Sequence, residues 1–402
     1  DSVFQWYEAH LVTADLNMYG ATLFGLPVIV QGHNTHLAWA LSPNSADTAD
    51  LYIEMPPEYV EQRTNPKSVM PQRAPERRPG INYTEAEQRP HYIWTPRGFV
   101  EETVDRLRTW RGPIVANAEG RNLSWRVAGY EDFGAIRQLY DMGLARDLDA
   151  FRRVLDRQQV SPFHVLYADR TGNIFYQYSA RTGVRPDVRS QTGAFVFANG
   201  YGEAPDVFIR PLSTRGGLYD WGAPLAPDAM PWLLNPDTGY LQACGTPPWL
   251  ATSPSMLDPS RFPSWLARDV DSYRAKRARR LFSLGPRSFE DMQAMLFDTV
   301  SPLAAEAVPF LLQAARDDPQ FIGQAHPDVR VGLDMLAEWN YLAEPGSLAM
   351  TYFHVWWTIL RRDESGVPRP NEIMHRLILE GAPWFRAYAL QCAADTATLR
   401  GD

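Results

Sequence analysis

The 402-residue sequence predicts an α+β protein: a β-rich layered core followed by a mainly helical lobe. Short strand-like runs alternate with turn residues over 1–55 and 160–200. Amphipathic runs at helical spacing fill the chain from 272 onward. Strands that come first and helices that come later suit an α+β arrangement.

Leu23 to Val30 reads as a strand, Gly32-His33-Asn34 as a turn, and His36 to Leu41 as the next strand. Residues 56–100, rich in Pro, Arg and Glu, read as an excursion over the surface. Leu148, Phe151, Val154 and Leu155 fall at helical spacing behind Asp147, which places a helix within 147–160. His164 to Ala168 and Ile174 to Tyr178 flank the turn Asp169-Arg170-Thr171-Gly172-Asn173, a hairpin signal. Asp and Asn side chains bond locally in tight turns, and Gly172 supplies a positive φ. Residues 20–52 and 160–180 are expected as neighbouring antiparallel strands, since both carry turns between apolar runs. Residues 204–265, dense in Pro and Gly, read as ordered loop. Ser288 precedes Asp291 at capping-box spacing, and further helices are expected over 302–316, 327–341, 346–362 and 371–395. The chain therefore divides into a core portion, 1–271, and a helical lobe, 272–402.

Composition narrows the function classes. Apolar residues make up 45% and charged residues 21%, as in ordinary soluble globular proteins. The net charge of -8 argues against general nucleic-acid binding, which needs a basic face to displace counterions. Lys67 and Lys276 are the only lysines, and the run Arg274–Lys276–Arg277–Arg279–Arg280 reads as a helix face. With 13 Trp, 18 Tyr and 18 Phe, the aromatics can fill cores and line a large apolar pocket. No stretch approaches the roughly 20 apolar residues that cross a bilayer. The richest one, Met350 to Leu360, contains His354, runs into Arg361, Arg362 and Asp363, and reads as a buried helix. Cys244 and Cys392 make neither a disulfide framework nor a zinc constellation. Phosphate-binding glycine loops, HExxH and GxSxG are all missing. His33 and His36 flank a turn and read as polar capping rather than metal ligation. On these grounds alone the reading stops at a soluble α+β protein with an aromatic-rich interior.

A series of short segments goes further. Gly20-Ala21-Thr22-Leu23 with Gly25-Leu26-Pro27, then Gly32-His33-Asn34, Leu37-Ala38-Trp39, Asp47 and Asp50-Leu51-Tyr52 are followed by Arg111-Gly112-Pro113-Ile114-Val115. Next come the Ala168-Asp169 to Gly172-Asn173 hairpin, Gly239-Tyr240-Leu241-Gln242 leading to Pro247-Pro248-Trp249, and the helix with Arg277. Their order and spacing over most of 1–285 resemble the large subunit of the penicillin acylases, especially the acyl-homoserine lactone and antifungal-lipopeptide acylases.

The resemblance implies an αββα N-terminal-nucleophile hydrolase sandwich that removes an acyl chain from an amide-linked substrate such as an N-acyl homoserine lactone, β-lactam or lipopeptide. An N-terminal Ser freed by autoproteolysis, with its own α-amine as base, would attack the amide carbonyl. That Ser begins a stretch ending just before Asp1, so the sequence is expected to be an interior portion of the subunit. The resemblance also implies periplasmic or secreted location. The expected partners are the remaining acylase segments, including a small alpha subunit from the same precursor, and an acylated small molecule.

Site residues carry over by the same resemblance. One oxyanion position falls on Pro43, which has no N–H, so Asn44 is the expected donor one residue on. The family's oxyanion Asn aligns with Gly245, and backbone N–H groups of Cys244, Gly245 or Thr246 would replace it. Arg277 fits the arginine that orients that Asn. Cys244 itself reads as a small loop residue, with no base near it in sequence. The acyl pocket carries over as Leu23, Phe24, Leu26, Leu139 and Phe163, with His164 beside them; core packing is the other reading of these side chains. No cofactor is required. Asp47, the Ala49 carbonyl and Asp50 match a calcium-holding set, though Ca²⁺ takes about 6–8 oxygens and the rest would come from loops. A second reading is a catalytically silent acylase-fold scaffold that binds an acylated ligand or partner, and Pro43 and Gly245 favour it.

Overall fold

Successive hairpins build the first layer of the structure, a computed structural model that describes residues 5–54, 85–118, 121–184, 212–213, 219–285, 288–362 and 371–398. The chain divides into two units, Asp1–Asp271 and Ser272–Asp402. In the first unit β1 (Trp6–Val12), β2 (Asn17–Leu23), β3 (Gln31–Asn34) and β4 (Leu37–Pro43) pair antiparallel in order. β5 (Ala49–Ile53) leaves for a second sheet with β6 (Glu85–Thr95), β7 (Gly98–Thr109), β8 (Gly112–Ala118) and β9 (Arg121–Val127). Two helices follow, α1 (Ala135–Leu144) and α2 (Leu148–Leu155), the latter capped by Asp147, whose carboxylate accepts from the Ala150 N–H at 2.7 Å.

The chain then returns to the first sheet as β10 (Phe163–Asp169) and β11 (Ile174–Ser179). β10 pairs antiparallel with β4 from Asp169↔Leu37 to Phe163↔Pro43, so the two hairpin regions are neighbours in one sheet, as expected. β12 (Leu212–Ser213) and β13 (Trp232–Leu234) complete the sheets. The orders are β1-β2-β3-β4-β10-β11-β13 and β12-β5-β9-β8-β7-β6.

Alternation along β10 and β11 separates two cores. Val165, Tyr167 and Phe175 point to one face, where Trp39, Met18, Leu139, Met142, Phe151 and Leu155 close a cluster between the sheet and α1–α2. Tyr176 and Tyr178 point to the other, packing with Tyr52 of β5, Leu212 of β12, Leu233 and Trp265. Helices, first sheet and second sheet thus form successive layers.

The second unit is helical: α3 (Tyr273–Phe282), α4 (Phe289–Leu296), α5 (Pro302–Asp317), α6 (Pro319–Gln324), α7 (Pro327–Ala337), α8 (Leu348–Leu360), α9 (Asn371–Glu380) and α10 (Pro383–Thr398). α4 opens on the expected capping box, Ser288 and Asp291 bonding each other's backbone N–H. The core of this unit gathers around α8, where Trp356 is fully buried and donates its indole N–H to Ala389 O at 3.0 Å.

Several local expectations change. Leu23 to Val30 is not a strand: β2 ends at Leu23, Gly25 turns the chain at φ +88, and Val28, Ile29 and Val30 enter the core as a loop. The apolar run records burial rather than extension. The turn falls at Thr35–His36, because the Asn34 carboxamide oxygen accepts the N–H of His36 (2.7 Å) and Leu37 (2.9 Å). The run 371–395 breaks into α9 and α10 at Gly381, φ +57, ahead of Pro383. Within the surface excursion 56–100, residues 85–95 and 98–100 are strand, and Tyr92, Trp94 and Phe99 near its turn are exposed. Residues 55–84, Lys67 among them, 185–211 and 214–218 lie outside the described residues.

Gly20 and Gly32, two glycines of the family segments, face each other across β2 and β3. A Cβ on Gly20 would lie 2.2 Å from Gln31 O and 2.6 Å from Gly32 Cα, both backbone atoms that cannot swing away. Gly20→Ala is therefore expected to cost about 1–3 kcal/mol by overpacking, read as a lowered unfolding midpoint in denaturant.

The β10–β11 turn stores a pH-dependent contribution. Burial alone would raise the Asp169 carboxyl, but bonds from Thr171, Asn173 and Tyr167 outweigh it and hold the group far below the ordinary carboxylate range. A carboxylate depressed in the folded state contributes stability above its unfolded value and loses it as pH falls through the folded one. Asp169→Asn should accordingly destabilise at neutral pH, and the gap to wild type should close in strong acid. Thermal melts along a pH series check this.

Candidate active site

The residues of interest in the first unit converge on the segment 266–271. β4 ends at Pro43, whose missing N–H falls at the last pair of the ladder. Beyond it Asn44 donates its backbone N–H to Pro162 O at 3.3 Å and its carboxamide N–H to Ser179 O at 3.2 Å. Its Oδ1 accepts from Ala46 N at 3.1 Å. Asn44 is thus a buried bracket between β4, β10 and β11, with its backbone donor already engaged. Ser45 donates its N–H to Asp269 Oδ1 at 3.0 Å, and Ala46 bridges Ala267.

Asp269 is the centre of this knot. Its side chain is 3% exposed and receives the Tyr178 hydroxyl, while His164 Nε2 lies 3.4 Å from Oδ1. That separation is electrostatic contact rather than a well-formed hydrogen bond. His164 Nδ1 meets the Tyr176 hydroxyl at 2.8 Å. Burial first, and then the Asp269 charge, push the Tyr176 and Tyr178 phenols far above the ordinary tyrosine range. Both therefore stay neutral, and Tyr178 donates to Asp269. A Tyr176 O–H given to Nδ1 corresponds to the tautomer with its proton on Nε2, facing the carboxylate.

The glycine loop reaches the same segment from the other side. Gln242 fixes the loop by donating to Leu250 O at 2.7 Å and accepting Cys244 N–H at 3.0 Å. Gly245 sits at φ +67, and the buried Thr246 hydroxyl lies 3.5 Å from Asp271 Oδ1. Asp269 holds Ser45 and Asp271 holds Thr246, and two residues of extended chain span at most about 7 Å. The two expected oxyanion segments are thereby brought together. The Cys244 N–H is bound to Gln242, and the other two backbone N–H groups that the sequence proposes for the oxyanion belong to Gly245 and Thr246. Cys244 is a half-buried free thiol. Arg277 lies in the second unit on α3, where Asp298 grips its Nε and Nη2 at 2.7 and 2.8 Å and lifts its pKa through those bonds.

The pocket residues separate. Leu139 is on the buried face of α1, in the core, with Leu26 and Phe163 packed against the same cluster. Leu23 is half-buried at the end of β2, and Phe24, on the turn after it, is 82% exposed. His164, next to Phe163 on β10, points to the opposite face. Of the calcium set, Asp47 Oδ2 receives Arg268 Nη2 at 2.6 Å, Asp50 accepts the Trp221 indole N–H, and Ala49 opens β5.

Sequence reasoning missed Asp269, Tyr176 and Tyr178, and a second ionic knot. Arg111, with no exposed side-chain surface, binds Glu54 at 3.2 Å and Asp220 at 2.8 Å. Glu54 also accepts from Thr109 (3.0 Å) and Ser124 (2.6 Å). The only signal for it was Arg111 opening the Arg-Gly-Pro segment.

Thermostable penicillin G acylase from Alcaligenes faecalis superposes with a TM-score of 0.68 at 18% identity, over 97% of this chain and 72% of that one. The fold is therefore that of the N-terminal-nucleophile hydrolases. Residues 3–398 match the penicillin amidase profile, and the chain belongs to the penicillin amidase family. It is 24% identical to the acyl-homoserine lactone acylase PvdQ of Pseudomonas fluorescens over 77% of its own length, and 21% identical to QuiP, also an acyl-homoserine lactone acylase, of Pseudomonas syringae pv. tomato over 75%. The chain spans 40% and 32% of those relatives.

The split among the pocket residues has a measurable counterpart. Leu139→Ala should cost about 2–5 kcal/mol as a core truncation. Phe24→Ala should stay within about 0.5 kcal/mol of wild type, as exposed substitutions do. Denaturant unfolding of the two variants separates them.

Proposed function

We propose that this chain is the part of an amide-hydrolysing acylase that carries the oxyanion side of its active site, in a protein that removes an acyl chain from an amide-linked substrate. N-acyl homoserine lactones come first among the substrates, because the relatives include acyl-homoserine lactone acylases; β-lactams and lipopeptides follow. The observation that carries the reading is the convergence of the 43–47 and 244–246 segments on 266–271. In this reading an upstream N-terminal nucleophile attacks the amide carbonyl, and backbone N–H groups at Gly245 and Thr246 receive the oxyanion. Leu23, Leu26 and Phe163 would border the acyl chain. The remaining segments of the same precursor, a small alpha subunit among them, complete the protein, which acts in the periplasm or outside the cell.

A catalytically silent scaffold is the second reading. It is favoured by Pro43, which has no N–H, and by the engagement of Asn44 and Cys244 N–H groups within the fold. The full-length protein separates the two. Incubation with N-acyl homoserine lactones of stepped chain length, followed by mass spectrometry, should show free homoserine lactone. Sequencing the newly exposed terminus should give Ser, Thr or Cys. An uncleaved precursor without turnover on any acylated amide would make the scaffold reading the correct one.

A further inference from the structure

We propose that Arg268 is a built-in counter-ion that takes the place of a divalent cation at Asp47, so that this chain needs no calcium there to hold the β4–β5 connection. The inference is independent of whether the protein hydrolyses amides. Asp47 is 5% exposed, and a carboxylate so buried must be neutralised where it lies. Arg268 does this directly, with Nη2 at 2.6 Å from Oδ2. The backbone sets the pair in place: Ala46 bridges Ala267, and Arg268 N–H donates to Ser45 O at 3.4 Å. The guanidinium therefore arrives with a strand-like clasp and not as a wandering surface side chain.

The second carboxylate of the calcium set is engaged as well, through one of its oxygens. Asp50 accepts the Trp221 indole N–H, with Arg126 4.9 Å from the ring centroid of Trp221. The Asp47 carbonyl accepts the Thr182 hydroxyl. A calcium ion needs about 6–8 oxygens at roughly 2.3–2.6 Å. Here it would meet the Arg268 guanidinium already seated on its first carboxylate, would share its second with an indole N–H, and would then sit beside a positive charge. As arranged, these donors do not fit the ion.

The tests are metal content and thermal unfolding of the full chain, in excess EDTA and in excess calcium chloride. Wild type should carry no stoichiometric calcium after dialysis and should melt at the same temperature in both solutions. Arg268→Met, which keeps the apolar stem, should melt about 4–8 °C lower in EDTA, with calcium restoring part of the loss. Arg268→Lys should retain most of the wild-type stability. Should Arg268→Met fail to fold, the double variant Asp47→Asn with Arg268→Met decides, because it removes both charges and should fold without metal. Stoichiometric calcium in wild type, or a wild-type melt that rises on adding calcium, overturns the proposal. So does an Arg268→Met protein that melts like wild type, or a double variant that folds only with calcium.

Discussion

Asp269 carries a carboxylate that is 3% exposed, and leaving such a charge without partners costs several kcal/mol. The fold answers by bringing the Ser45 N–H, the Tyr178 hydroxyl and His164 to it from three stretches distant in sequence. Everything at the candidate site hangs on that contact. It fixes where the chain goes after β4, which side of β11 the tyrosines occupy, and where the 266–271 segment lies. Asp271, two residues on, then sets Thr246 and the glycine loop.

The apolar layers supply the stability that the polar knot presupposes. Val165, Tyr167 and Phe175 on one face and Tyr176 and Tyr178 on the other make β10 and β11 the shared wall of two cores. A one-residue slip in β10 would exchange its faces and move His164 away from Asp269, and one in β11 would do the same to Tyr178. Arg111, Glu54 and Asp220 do for the second sheet what Asp269 does for the first, joining β5 and the β7–β8 turn to the segment at 220. Each knot lies next to aromatic packing, where an unpaired charge would be most costly.

Legibility in the sequence followed the range of the interactions. The β10–β11 hairpin was readable because Asp169, Thr171 and Asn173 bond one another within five residues, and α4 because its capping box spans four. Leu23 to Val30 misled because a buried loop and a strand can share one apolar composition. Phe24 and Leu139 were read together as pocket, yet one is on an exposed turn and the other on the buried face of a helix, a distinction that local composition does not encode. Asp269 was invisible for the same reason: Arg268-Asp269-Val270-Asp271 has the alternating charge of a solvated loop, and only partners more than 90 residues away bury it. The family segments were legible, but the work each does, as with Gly20 against Gly32, needed the paired backbone.

The neutral phenols around Asp269 bear on how the first unit meets alkali. Tyr176 and Tyr178 cannot release their protons while burial and the nearby carboxylate hold them, and Tyr52 is raised by its own burial and by Asp50. In the unfolded chain the same groups ionise near the ordinary tyrosine value, so rising pH favours the unfolded state through them. A spectrophotometric titration would then find two populations of tyrosine. One population is on the surface, where rings such as Tyr92 and Tyr130 are exposed. The interior ones would stay silent and then appear together as the sheet opens, so that the phenolate absorbance of these three becomes an optical record of unfolding itself.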